Sequence, residues 1–112
     1  MTARFLTYEE FWPFYVSQHR NATCRALHFA GTSLVWAFLA LGVLASIWWL
    51  VLAPGAGYGF AWVGHFFFEK NRPATLTYPV WSLRGDFRMY RLELLGRMRP
   101  ELERAAALFP AA

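Results

Sequence analysis

From Ala26 to Phe68 the chain carries no Asp, Glu, Lys or Arg, and all 18 of its formally charged residues lie outside that stretch. Forty-three uncharged residues limit the possible folds severely. A bilayer-crossing helix needs roughly 20 apolar residues. The stretch therefore has the length of two spans, and a single span would leave half of it unexplained. The whole chain has 112 residues, 57 % of them hydrophobic and 20 % aromatic, and only 16 % are charged. Soluble domains average about 25 % charged residues, so the deficit concentrated in 26–68 points to lipid rather than to a large soluble core.

The charges outside the stretch set its expected orientation. The net charge of +4 comes from ten arginines and one lysine against seven acids. Arg4, Arg20 and Arg25 precede the apolar run, and Lys70, Arg72, Arg84, Arg88, Arg91, Arg97, Arg99 and Arg104 follow it. Basic residues on both flanks place both termini in the cytoplasm and require an even number of crossings. The first residues, Met1 to Trp12, contain Arg4, Glu9 and Glu10 and lack a cleavage pattern, so no secretory signal peptide is expected. A nucleic-acid partner is not expected, because no recognition motif accompanies the arginines. Cys24, the single cysteine, excludes an internal disulfide and reads as an ordinary thiol.

The pattern predicts an all-α fold: an integral membrane helical bundle, with a transmembrane hairpin flanked by interfacial amphipathic helices. It is read as one membrane domain over 1–112. Thr7 and Glu10 form a capping box for an aromatic interfacial helix over 7–20, with Pro13 expected to kink it. Phe11, Phe14, Tyr15 and Gln18 share one side of it. Asn21-Ala22-Thr23 is a polar break that matches a glycosylation sequon; a helix start is expected near Thr23 or Cys24. The apolar run can turn at Pro54-Gly55 or near Gly42–Ser46; the second division gives spans over 24–45 and 46–69, kinked at Pro54. Gly55 and Gly59 have the GxxxG spacing of close helix packing. A short interfacial or re-entrant segment follows over 73–84, with Trp81 at the headgroup level. Asp86 caps an amphipathic helix over 86–108, whose stripe is Phe87, Tyr90, Leu94, Leu95 and Met98.

Three histidines bracket the uncharged stretch. His19 stands just before it, His28 near its start and His65 near its end. An even number of crossings returns the last to the side of the first two. His65 and Glu69 are four apart and share a helical face. Alone, that pair reads more simply as a hydrogen-bonded histidine beside an acid that marks the membrane edge. Three imidazoles with a carboxylate suit Fe(II), Zn(II) or Mn(II). Ionisable groups at a membrane boundary are costly unless paired or functional. Arg25, three residues before His28, can hold a carboxylate or simply snorkel.

Three stretches carry a family resemblance. They are Phe14–His19 with Cys24–Thr32, Tyr58–Thr75 with its Gly64-His65-Phe66-Phe67-Phe68-Glu69 and Arg72-Pro73-Ala74 elements, and Tyr78–Tyr90. On these the chain resembles the small membrane proteins related to the yeast 2-hydroxy fatty acid dioxygenase, the bacterial branch most of all. The resemblance implies an Fe(II)-dependent enzyme that uses O2 to shorten a 2-hydroxy fatty acid by one carbon, in α-oxidation. It implies that His19, His28 and His65 are metal ligands. The family enzyme uses four histidines and this chain has three, so Glu69 or Asp86 is the candidate to complete the set or support it. Arg25 and Glu69 are the candidate catalytic residues, and Arg25 and Arg72 the candidates for the substrate carboxylate. The expected setting is a bacterial inner membrane with the site on its cytoplasmic side. The expected partners are a fatty acyl or lipid substrate, O2 and the bilayer, with the oligomeric state open. Two rivals stand beside it: a haem-binding or electron-transfer membrane protein with His28 and His65 as axial ligands, and a non-catalytic membrane packing protein.

Overall fold

The structure, a computed structural model, describes residues 5–110; Arg4, counted above among the flanking basic residues, lies outside them. The described residues are helical throughout, with no strand. The α-helices are α1 (Tyr8–Ser17), α2 (Ala22–Leu44), α3 (Leu52–Val63), α4 (Pro79–Leu94) and α5 (Met98–Leu108). Two compact units divide the chain: one holds the residues up to Arg20 together with those from Ala74 onward, the other holds Asn21–Pro73.

In the first unit the aromatic N-terminal helix is packed into the core. Thr7 caps α1 by accepting the Glu10 N–H, and the Glu10 carboxylate accepts the Leu6 N–H at 3.1 Å, so the expected capping box forms. The helix continues through Pro13 and buries Tyr8, Phe11, Trp12, Tyr15 and Val16. Its burial is two-sided. Phe11 packs on Tyr78 and Trp81 with ring centroids at 5.0 and 5.7 Å. Trp12 donates its Nε1–H to Glu101 of α5 at 2.6 Å. Trp81 is therefore half-buried in this core and stacked on Tyr78.

The C-terminal region departs from expectation in three ways. The segment 86–108 is not one helix: α4 ends at Leu94, and Gly96, at φ 68°, turns the chain into α5. Asp86 is not a cap, since α4 begins seven residues earlier, at Pro79. The buried face is Ser82, Gly85 and Met89, while Leu94 and Leu95 are 60 % and 57 % exposed. The expected stripe followed the large apolar residues; the chain packs small ones there because Tyr15 is close. A Cβ on Gly85 would lie 3.1 Å from the Tyr15 ring.

The second unit is an antiparallel helical hairpin. Asn21, the first residue of the sequon, caps α2 through its side-chain oxygen, which accepts from Thr23 and Cys24 N–H groups. At 23 residues α2 is about 35 Å long. It is the one described helix long and apolar enough to cross a membrane. After Ala45 and Ser46 the chain returns as a 3-10 turn over Ile47–Val51, then α3, then a π-helical turn over Gly64–Glu69. Pro54 sits in the first turn of α3, where its missing N–H costs nothing, so it starts a helix instead of kinking one. The two arms meet at Gly31 and Gly57, not at the GxxxG pair. A Cβ on Gly31 would lie 2.8 Å from the Phe60 Cβ and one on Gly57 would lie 3.1 Å from Val35; Gly55 and Gly59 have nothing within 4 Å. Packing glycines are set by which residues of the other arm face them, and that is not a local pattern.

Candidate metal centre

His19 follows the C-terminal end of α1. Its backbone N–H bonds to Val16 O at 3.0 Å, which folds the chain back over the last turn. Its Nδ1 lies 2.6 Å from the Tyr15 carbonyl oxygen. A carbonyl only accepts, so Nδ1 carries the proton. The Tyr15 ring lies against the imidazole with centroids 4.2 Å apart and also stacks on Trp12 at 5.5 Å. The Tyr15 hydroxyl donates to the Asp86 carboxylate. Burial of Asp86 raises its carboxyl from 3.8 to about 7, against the lowering effect of that hydroxyl. Tyr15 is thus clamped at its hydroxyl, its ring and its backbone, and through it so is His19.

His28 lies one helical turn after Cys24 on α2. Its Nδ1 is 2.9 Å from the Cys24 carbonyl oxygen, again fixing the proton on Nδ1. The Cys24 Sγ is 3.7 Å from the same nitrogen, so the thiol is packed against this ring. Gly64 allows this arrangement, since a Cβ there would stand 3.0 Å from Cys24 Sγ and 3.3 Å from the Cys24 carbonyl oxygen.

His65 is in the π-helical turn. The wider turn lets the His65 carbonyl accept the Asn71 N–H at 3.0 Å, six residues on. Lys70, at φ 60°, then brings the chain back. Asn71 Oδ1 thereby comes to 2.7 Å from His65 Nδ1. The rings of His65 and His28 meet edge to face with centroids 4.9 Å apart.

All three imidazoles therefore have Nδ1 on an oxygen acceptor. A ligating histidine is usually oriented in this way, with its second nitrogen donating to a carbonyl or amide oxygen. His19, His28 and His65 are all buried, and one ligand atom of each lies within 4.8 Å of the other two. The group could hold a metal ion.

The other expected site residues are placed differently. Glu69 is half-buried, and its carboxylate accepts the Asn21 N–H at 2.6 Å, at the N-terminus of α2 where a carboxylate is favoured. Asp86 meets Tyr15 rather than a histidine in its described hydrogen bond. Arg25 is half-buried one turn before His28, and Arg72 is exposed. Three contributors had no sequence signal: the Tyr15 and Cys24 carbonyls, which are backbone atoms, and Asn71, which only a π turn brings to His65.

No curated protein and no solved structure matches the chain. A family model matches residues 5–98, a range that includes all three histidines, Tyr15, Asn71 and Asp86. On that match the chain belongs to the Mpo1-like family, described as 2-hydroxy-palmitic acid dioxygenase Mpo1-like.

Proposed function

We propose that this chain is an Fe(II)-dependent dioxygenase that removes one carbon from 2-hydroxy fatty acids with O2. The observation that carries the proposal is the set of three buried histidines, each with its Nδ1 on an oxygen and with one ligand atom of each within 4.8 Å of the other two. Iron bound there would supply the oxygen chemistry that breaking a C1–C2 bond requires.

The chain's own residues then have separate tasks. Tyr15, Cys24 and Asn71 hold the three rings in the ligating tautomer. Arg25 takes the substrate carboxylate through paired N–H donors, and Arg72 is the second candidate for that task. Glu69 keeps the start of α2 fixed, and so acts on the position of His28 from a distance. The substrate tail lies along the apolar hairpin.

That hairpin is also the proposed membrane part, with spans over 24–45 and 46–69 and both termini cytoplasmic, in a bacterial inner membrane. The exposed surface of α2 supports it: Val43 and Leu44 are each 83 % exposed, beside Trp48 at 77 %. Water disfavours so much continuous apolar surface, and lipid does not. Haem ligation by His28 and His65 finds no support in the geometry, because rings 4.9 Å apart edge to face leave no room for a macrocycle between them.

The test is metal analysis of anaerobically purified protein, followed by product analysis with a 2-hydroxy fatty acid and O2. Wild-type protein is expected to carry iron and release the acid one carbon shorter. His65→Ala is expected to lose both. Full iron content and full turnover in that variant would refute the assignment.

A further inference from the structure

Helix α4 carries Arg84, Arg88 and Arg91 at spacings of four and three, so all three project from one face. Like charges so placed repel one another, and two of these guanidinium groups, those of Arg84 and Arg88, rest on rings. Arg84 lies 3.9 Å above the centre of the Tyr8 ring. Arg88 lies 4.2 Å above the Trp12 ring and 5.7 Å from that of Tyr8. Stacking on aromatic faces holds the groups in place while leaving their N–H edges for another acceptor.

The same residues line a groove of about 480 Å³, formed within the first unit by Tyr8, Glu9, Arg84, Phe87, Arg88 and Arg91. Glu9 is the one acid among them, so three positive charges face one negative. Tyr8 adds an independent sign of a missing ligand. Its side chain is 7 % exposed, and its hydroxyl is buried with no hydrogen-bond partner. A buried hydroxyl without a partner costs free energy, and native structures rarely leave one so.

We propose that this groove binds a phosphate group. A carboxylate offers two oxygens and one charge. A phosphate monoester offers three terminal oxygens and close to two negative charges at neutral pH. That matches the groove's excess of two positive charges and its arginine forks, which pair with phosphate oxygens two at a time. A further oxygen can accept the Tyr8 O–H, which has no partner otherwise. The phosphate belongs to a soluble monoester or to a lipid headgroup, and both present the same chemistry. The site uses none of the histidines and does not rest on the metal reading.

The experiment is calorimetric titration of the full-length protein in detergent. The probes are inorganic phosphate, glycerol 3-phosphate, dihexanoyl phosphatidic acid, dihexanoyl phosphatidylcholine and acetate. Saturable binding is expected for the phosphate monoesters and not for acetate or phosphatidylcholine. Binding of glycerol 3-phosphate assigns a soluble source, and binding of phosphatidic acid alone assigns a headgroup. Arg91→Gln, at an exposed position, and Tyr8→Phe, which keeps the ring, should each weaken binding about tenfold, as expected for a lost hydrogen bond to a charged group. Arg104→Gln, on α5 outside the groove, should leave it unchanged. Equal binding of acetate, no binding of any phosphate, or equal loss in Arg91→Gln and Arg104→Gln would each overturn the proposal. Thermal unfolding of each variant confirms that the fold is retained.

Discussion

Gly64→Ala should weaken the metal centre and the hairpin together, while the same change at Gly55 or Gly59 should not. At Gly64 a Cβ would stand 3.0 Å from Cys24 Sγ, 3.2 Å from Cys24 Cα and 3.3 Å from Cys24 O. The thiol can turn away, but the other two atoms are the α2 backbone, and the helix must shift by a few tenths of an ångström. Overpacking of this kind costs about 1–3 kcal/mol. Replacing Gly by Ala in a helix returns about 1 kcal/mol. The net loss is then up to about 2 kcal/mol, or up to about 10 °C in unfolding temperature for a chain of this size. At Gly55 and Gly59 nothing lies within 4 Å, so only the helix gain of about 1 kcal/mol remains. The shift of α2 displaces the carbonyl that holds His28, so Gly64→Ala should also lower iron content. Thermal unfolding and metal analysis on the three variants read both effects. A Gly64→Ala protein with wild-type iron and melting temperature, or a Gly55→Ala protein destabilised as much, would refute the packing and its link to His28. Adding Cys24→Ala to Gly64→Ala should restore only part of the loss, since the backbone contacts persist.

Asn71→Ala removes the acceptor 2.7 Å from His65 Nδ1 and should lower metal affinity about 10–100-fold without unfolding the protein, measured by competition with a chelator. Asp86 predicts a pH dependence. Its carboxyl is raised from 3.8 to about 7, so the native state keeps a proton that the unfolded chain releases first. Its contribution is fully present below pH 3.8 and is lost as pH rises towards about 7, by about 1.4 kcal/mol per pH unit. Denaturant unfolding between pH 4 and 8 should show that fall, and Asp86→Asn should abolish it. Trp12→Phe leaves Glu101 without its indole donor and should cost about 1–3 kcal/mol in the same assay.

The features legible in the sequence were those fixed locally or by composition. Thr7 and Glu10 announce the start of α1 because a cap needs only neighbouring residues. The three histidines could be grouped because they bracket one uncharged run. Other features depend on contacts between distant residues. The packing partners of α1 were not legible, since nothing near Phe11 or Trp12 reveals that Tyr78, Trp81 and Glu101 will cover them. Gly55 and Gly59 have the familiar spacing, yet it is Gly31, Gly57 and Gly64 that face the opposite arm. Glu69 shares a face with His65 by spacing, but its carboxylate is used at Asn21, where an unpaired N–H attracts it.

The π-helical turn over Gly64–Glu69 has a consequence for how the chain can change in length. A π turn is an α-helical turn holding one surplus residue, kept despite poorer geometry. Removing a residue there would give a more regular helix, so ordinary helix energetics favour the shorter chain. The interval from His65 to Asn71 counts more than the identity of the phenylalanines within it, because that interval carries the Asn71 amide back to the imidazole. Substituting Phe66, Phe67 or Phe68 should keep the centre, whereas deleting one residue between His65 and Asn71 should remove it.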